Sequence, residues 1–491
     1  AGSREEFPSD ALTDMEAGST SGAGYTNGAG SSEYKMLSYF ARVNYTLMDR
    51  YLFEVNMRAD ASSRFHKDHR WGYFPSFSAG WRMSEESFMK DIEWINNLKI
   101  RASYGTLGNI NNVGNYDYFQ NYSSGNHYNF SDSPVIGIGE SKPANETLGW
   151  EKVALTDIGL DFDIFNGLLG VTADYYIKNT SDILLGYNVP TETGITAAPS
   201  QNIGKVKNTG FELALNHRNK IGAVNYSIGA NIATNKNKIT NLGGSDNIIQ
   251  TSSYIVKYIL KKGESIGSFY GFKTDGLYTQ ADIDAGHYYT LSGVVPNAGD
   301  IKFVPQRDIE YKQEITDEDR TILGKDVPDF TYGVNLSLQY KGFEFSMFGQ
   351  GISGTKVAFD VYGVHPFYHG QDSPRKYHLK RWTEENPNPH AAYPRIYSAS
   401  SVHTTYNRNF SDYHLFDSDY FRFKTLSLGY TVPSATVKNW GLQSLKVYVT
   451  GENLFTVRAD KKMEDFDPET AGGVIYTLGT KSVAFGVNIS F

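Results

Sequence analysis

Residues 328–351 read PDFTYGVNLSLQYKGFEFSMFGQG, and the even positions Phe330, Tyr332, Val334, Leu336, Leu338 and Tyr340 are all apolar or aromatic. The odd positions between them are Thr331, Gly333, Asn335, Ser337 and Gln339. A period of two puts successive side chains on opposite faces of an extended strand, here one apolar and one polar. The same alternation runs through Tyr39, Ala41, Val43, Tyr45; Tyr51, Phe53, Val55, Met57; Leu169, Val171, Ala173, Tyr175, Ile177; and Val224, Tyr226, Ile228, Ala230, Ile232. It closes at Val483, Phe485, Val487, Ile489 and Phe491, so about thirteen such segments are counted.

Their connections alternate in length. Short turns are read at Met48-Asp49-Arg50, Phe165-Asn166-Gly167, Asn219 to Gly222, Tyr340-Lys341-Gly342 and, less tightly, Pro433 to Leu442, with a short helix near 85–97. Long connections lie near 63–71, 108–150, 179–204, 236–327, 353–418 and 457–480. A soluble sandwich has no reason to keep its short turns on one side, whereas a transmembrane β-barrel pairs short periplasmic turns with long external loops and aromatic girdles. The apolar strand face then meets lipid and the polar face a wet lumen.

Composition fits that inversion. The 491 residues include 29 Phe, 35 Tyr and 6 Trp, yet mean hydropathy is -0.43, and no run approaches the roughly 18 apolar residues of a membrane helix. The absence of Cys removes disulfide scaffolds and thiolate chemistry. A net charge of -8 argues against a nucleic-acid surface. The opening AGSREEFPSD lacks the apolar run of a signal peptide. Thirteen antiparallel strands would leave the first and last running the same way, and an open edge in lipid is not tolerated. Residues 1–491 are therefore expected to be the C-terminal part of a larger barrel.

Several stretches together resemble the SusC-like TonB-dependent outer-membrane transporters of Bacteroidota. They include SYFARVNYTLMDRYLFEVNMRADASSRF (38–65), NNLKIRASYGTLGN (96–109), LGWEKVALTDIGLDF (148–162), NIGKVKNTGFELAL (202–215), DRTILGKDVPDFTYGVNLS (319–337), DYFRFKTLSLGYTVP (419–433), LKVYVTGENLFT (445–456) and FDPE (466–469). The resemblance spans nearly the whole chain in family order. It implies an all-β fold, a barrel of roughly 22 antiparallel transmembrane strands with long extracellular loops, of which this chain is the C-terminal portion. It also implies import of a large nutrient, with oligosaccharide favoured and peptides or other ligands the alternative. The implied partners are a SusD-like surface lipoprotein lid, TonB acting through an N-terminal part and plug not in this chain, and outer-membrane lipid, with a dimer of SusC-SusD pairs as a further assembly.

Individual motifs are weighed on that background. Phe491, ending an alternating strand, resembles the C-terminal signal for barrel insertion. Loop aromatics fall in two clusters, one with Tyr116, Tyr118, Phe119, Tyr122, Tyr128 and Phe130, the other with Phe359, Tyr362, Phe367, Tyr368, Tyr377, Trp382, Tyr393 and Tyr397. Of these, Tyr116, Tyr118, Tyr122, Tyr128, Phe367, Tyr368 and Trp382 are the candidate ligand or lid contacts, since aromatic rings suit both sugars and interfaces. Their alternative role is to stiffen the loops. The acidic run Asp308, Glu310, Glu314, Asp317, Glu318, Asp319 lacks the Gly of a calcium loop and reads as a solvated segment. Asp161 and Asp163 share a strand face and read as barrel wall rather than paired glycosidase carboxylates. Pro366 between His365 and His369 argues against helical metal spacing, and the Gly-rich stretch 17–32 reads as a flexible loop. No catalytic residue, metal site or cofactor is expected, and the chain is read as no enzyme. A passive porin and an extracellular all-β carbohydrate-active enzyme or adhesin are the competing classes.

Overall fold

The computed structural model describes residues 32–130, 133–186, 200–251, 255–359, 364–367, 373–470 and 479–491. Thirteen strands of one fourteen-stranded antiparallel sheet follow one another in order, each pairing with the next along the path. They are β1 (Met36–Leu47), β2 (Tyr51–Ser62), β3 (Trp71–Arg82), β4 (Ile95–Asn109), β5 (Glu151–Ile164), β6 (Leu169–Gly186), β7 (Ser200–Ile221), β8 (Val224–Thr234), β9 (Phe330–Tyr340), β10 (Phe343–Ser353), β11 (Tyr420–Thr431), β12 (Ser444–Arg458) and β13 (Ser482–Ser490). Four of the six connections at one end of the sheet are tight turns, as the sequence predicts, with longer links at 83–94 and 432–443, and those at the other end are long apart from 63–70. Among the described residues, β1 pairs only with β2 and β13 only with β12.

Turn chemistry sets the short end. Lys341 and Gly342 form a two-residue β9–β10 loop with φ of 45° and 90°, the positive pair that matches the natural twist of a hairpin. A Cβ on Gly342 would also stand 2.6 Å from the Thr431 carbonyl oxygen, so this position excludes side chains twice over. At the same end of the sheet, the connection between β3 and β4 is pinned by Glu86. Its carboxylate accepts from the Tyr51 hydroxyl (2.7 Å), Trp81 Nε1 (3.0 Å) and Arg50 Nη1 (3.0 Å). Those bonds, from Tyr51 foremost, hold the carboxyl below its ordinary range.

The two sheet faces differ as the alternation requires. Tyr39, Val43, Phe53, Tyr73, Phe77, Ile158, Tyr175 and Val487 stand exposed on the outer face, and Phe485 leaves 84% of its surface free. On a soluble protein such a band would mark an interface; on a barrel it is the lipid contact. Aromatic pairs rim both ends. Trp71 stacks with Tyr39 (6.0 Å) and Tyr73 (6.5 Å) on the loop side, while Trp94 meets Phe165 (5.9 Å) and Phe343 meets Tyr430 (4.6 Å) at the turns.

The long connections hold more structure than their composition suggests. β6 and β7 run 18 and 22 residues, far beyond the roughly 9–11 that cross a bilayer, so stretches read as loop from 179 and up to 204 are strand. Lys236–Leu242, read as the start of a loop, pairs along β7. Outside lipid no continuous apolar face is required, and Val206, Ile239 and Leu242 bury a local cluster with Leu260 instead, so the period that betrays a membrane strand is absent there. Residues 121–130 and 133–142 form a further hairpin.

The described parts of three connections, 235–329, 354–419 and 459–481, fold together into a cap on the loop side. One apolar cluster joins Phe272, Ile301, Phe303 and Ile315 to Trp382, Ala391 and Tyr406, and a second joins Val357, Phe359, Tyr377 and Phe416 to Met463 and Phe466. Each cluster therefore draws on two or more connections, and together they bind all three.

Candidate functional site

On the polar face, Arg101 of β4 reaches across β5 to β6. Its guanidinium donates to both Asp161 oxygens (2.8 and 3.1 Å) and to Asp174 (2.9 Å), with Lys99 Nζ 3.7 Å from Asp161. Gly159 lies in register with both Arg101 and Asp174. A Cβ there would come within 2.1 Å of the Asp174 carboxylate and 2.7 Å of the guanidinium, so glycine leaves the passage that Arg101 uses. Asp163 accepts from Asn97 Nδ2 (3.1 Å). Both carboxylates weighed as a glycosidase pair are thus engaged by side chains of β4. The lattice continues at β1 and β2, where Arg42 donates to Asn56 (2.7 Å) and lies 3.4 Å from Glu54, and at β10 and β12 through Glu344 and Lys446.

Where the wall meets the cap, Arg422 of β11 is buried and bridges Asp467 (2.6 Å) and Glu469 (2.9 Å), and Glu469 also takes Lys424 (2.8 Å). Burial works to raise the Asp467 carboxyl. Hydrogen bonds from Arg422 and the Glu469 N–H outweigh it and hold the group below the ordinary value. The FDPE stretch is therefore the clamp of the last long connection onto the sheet.

The acidic run is not wholly solvated. Asp319 is fully buried and accepts from the N–H groups of Gln306 (3.0 Å), Arg307 (3.1 Å) and Thr316 (2.9 Å), and from the Arg307 guanidinium (2.7 and 3.1 Å). Desolvation pushes its pKa up, but these donors win and lower it to about 2. The overlooked signal was Arg307, twelve residues upstream. Among the described residues no three His, Asp or Glu converge as a metal site.

The loop aromatics divide. Tyr116, Tyr118 and Phe119 gather, with Tyr118 stacked on Phe119 at 4.3 Å, and Tyr122 is 63% exposed nearby in sequence. The Tyr128 side chain, Tyr362, Tyr368 and His369, like the Gly-rich stretch through residue 31, lie outside the described residues. Phe367 is 42% exposed. Trp382, expected to face ligand or lid, is instead only 5% exposed, packed in the first cap cluster beneath Arg395 and against Gly299. Phe359 and Tyr377 are buried likewise, so these rings stiffen the loops. Phe491 follows β13 and is exposed.

The cap also holds a buried histidine pair that the sequence did not signal. His365 and His414 lie 5.2 Å apart, His365 Nδ1 is 3.3 Å from the Tyr393 hydroxyl, and His414 Nδ1 is 3.0 Å from Ser411 Oγ. Burial keeps both neutral, lowering His414 to about 4 and His365 well below its usual value.

Comparison with known proteins adds to this geometry. Residues 5–454 match the family described as "TonB dependent receptor-like, beta-barrel". "TonB-dependent receptor P3" of Formosa agariphila is 32% identical over 431 residues, covering 87% of this chain and 41% of the relative. "TonB-dependent receptor SusC" of Bacteroides thetaiotaomicron is 29% identical over 467 residues, 93% of this chain and 43% of that protein. A solved structure of the RagAB peptide importer in an "open-open" state superposes over 100% of this chain and 50% of that chain, at 25% identity and a TM-score of 0.75. The chain spans less than half the length of these two curated relatives.

Proposed function

The chain belongs to the TonB dependent receptor-like β-barrel family of outer-membrane proteins, and we propose that it is the C-terminal wall and cap of a TonB-dependent importer of a large nutrient, with oligosaccharide the favoured substrate. The observation that carries this reading is the two-faced sheet: an apolar outer band around a wall of fixed, mutually paired charges, roofed by a cap built from three external connections. Paired charges give a polar passage lined by groups that a hydrated solute can exchange for water. Further strands pair with β1 and β13 to close the barrel, and segments outside residues 1–491 supply the plug and the contact with TonB. A SusD-like lipoprotein acts as lid. Tyr116, Tyr118, Tyr122 and Phe367 are the rings offered to ligand or lid. Likeness to a peptide importer supports peptides as the second substrate reading.

Uptake of labelled oligosaccharides by cells carrying the full transporter is expected to stop on adding a proton uncoupler, and mass spectrometry of the detergent-purified protein is expected to find a lipoprotein. Uptake that survives the uncoupler would indicate a passive pore. Labelled peptides entering in place of sugars would move the substrate to the second reading.

A further inference from the structure

A cleft of about 940 Å³ opens in the cap where its three connections meet, near the upper end of the size range of small-molecule sites. Lys356 and Lys380 come from the connection after β10, and Lys462 from that after β12. None of the three forms an ion pair among the described residues, although the chain as a whole carries a net charge of -8. The carboxylate in the lining, Asp412, is already held by Thr274, whose hydroxyl donates to it at 2.6 Å. Lys462 also lies over the rings of Tyr413 (5.6 Å) and Phe416 (5.7 Å), which fixes where its charge sits. Lys356 lies in register with Asp417 of the adjoining strand, but within the lining of the cleft three lysines stand against one carboxylate, a local excess of positive charge in a concave site.

The walls are rigid for a loop region. Leu277 N–H donates to Pro389 O (2.8 Å), Asp412 N–H to Phe272 O (3.1 Å), and the Tyr413 hydroxyl bonds Ala391 O. Asn386, Asn388 and His390 add side chains that can both donate and accept, the pattern a polyhydroxylated ligand needs. Because the Leu277 N–H is already bonded, the adjoining strand does not offer it to a peptide for strand addition. Lysines act as point charges rather than bidentate forks, which suits a single carboxylate or sulfate on each sugar.

We propose that this cleft binds an acidic oligosaccharide, through carboxylate or sulfate groups set against Lys356, Lys380 and Lys462. The inference rests on the oligosaccharide reading above and narrows it to charged chains.

Calorimetric titration of the intact protein, extracted in detergent, would use trigalacturonate, a sulfated galactose trisaccharide, neutral galactotriose and hexaglutamate as probes. One or both charged sugars are expected to bind at least tenfold more tightly than galactotriose, more weakly as salt rises. The triple variant Lys356→Gln, Lys380→Gln, Lys462→Gln is expected to lose at least tenfold in that affinity, with single Lys380→Gln, at an exposed position, losing a smaller share in a cap that must remain folded. The two charged sugars separate carboxylate from sulfate recognition. Equal binding of charged and neutral sugars, or undiminished charged-sugar binding in the triple variant, would overturn the cleft assignment and leave the oligosaccharide reading intact. Binding of hexaglutamate with none of the sugars would overturn both.

Discussion

Arg101 serves carboxylates on two other strands, so Arg101→Ala leaves Asp174 without its cation and Asp161 with the more distant Lys99 alone. A loss of about 1.5–3 kcal/mol is expected from removing charge-assisted hydrogen bonds, read as a lower unfolding midpoint when the purified barrel is heated on semi-native gels; an unchanged midpoint would count against the lattice. Titration at single residues sets the behaviour of the cap. His414 has a folded pKa of about 4 against roughly 6.5 unfolded. Its contribution is whole above pH 6.5 and is lost as pH falls toward 4, a drop of roughly 3 kcal/mol. Asp319, lowered to about 2, contributes stability present above about pH 4 and lost as pH falls toward 2. Limited proteolysis against pH should show the cap opening in that order, and His414→Gln should flatten the upper limb. At this scale the sequence was partly legible. Asp161 and Asp163 stood on the polar positions of an alternating strand, and so did Arg101, but nothing in one dimension says that Arg101 passes over Gly159 to reach a second strand. Trp382 was misjudged because an aromatic ring in a loop looks the same whether it faces a ligand or a core.

Among the elements, the membrane-crossing strands were legible because lipid and lumen impose opposite demands on alternate residues, and the Lys341-Gly342 turn because its backbone needs positive φ. Gly342→Val combines a strained φ with contact on the Thr431 carbonyl, and a cost of about 1–3 kcal/mol is expected, measured as a lower yield of heat-resistant folded barrel. Gly167→Ala, at φ 79° but with open space around its Cβ position, should cost less and serves as the comparison. What stayed hidden were the outer halves of β6 and β7 and the strand at 236–242. Their few apolar residues, Ile183, Leu185, Val206, Ile239 and Leu242, gather into one local cluster instead of a continuous period of two, and only pairing with a neighbour reveals the strands.

For the molecule as a whole, the alternation of short and long connections oriented the sheet, whereas the cap was illegible because its clusters join residues more than a hundred positions apart, such as Phe272 and Tyr406. Trp382→Ala should cost about 3–5 kcal/mol and make the cap sensitive to protease, while the barrel keeps its heat resistance. Loss of both together would show that wall and cap fold as one unit. The shared clusters also impose a direction on biogenesis. Neither cluster is complete until a second connection has reached the far side of the membrane, and with no cysteine no disulfide can fix one connection beforehand. Once all three have arrived, their common clusters close behind them. Backing out would then require unfolding the entire roof, and cap assembly becomes a ratchet that makes insertion of the wall one-way.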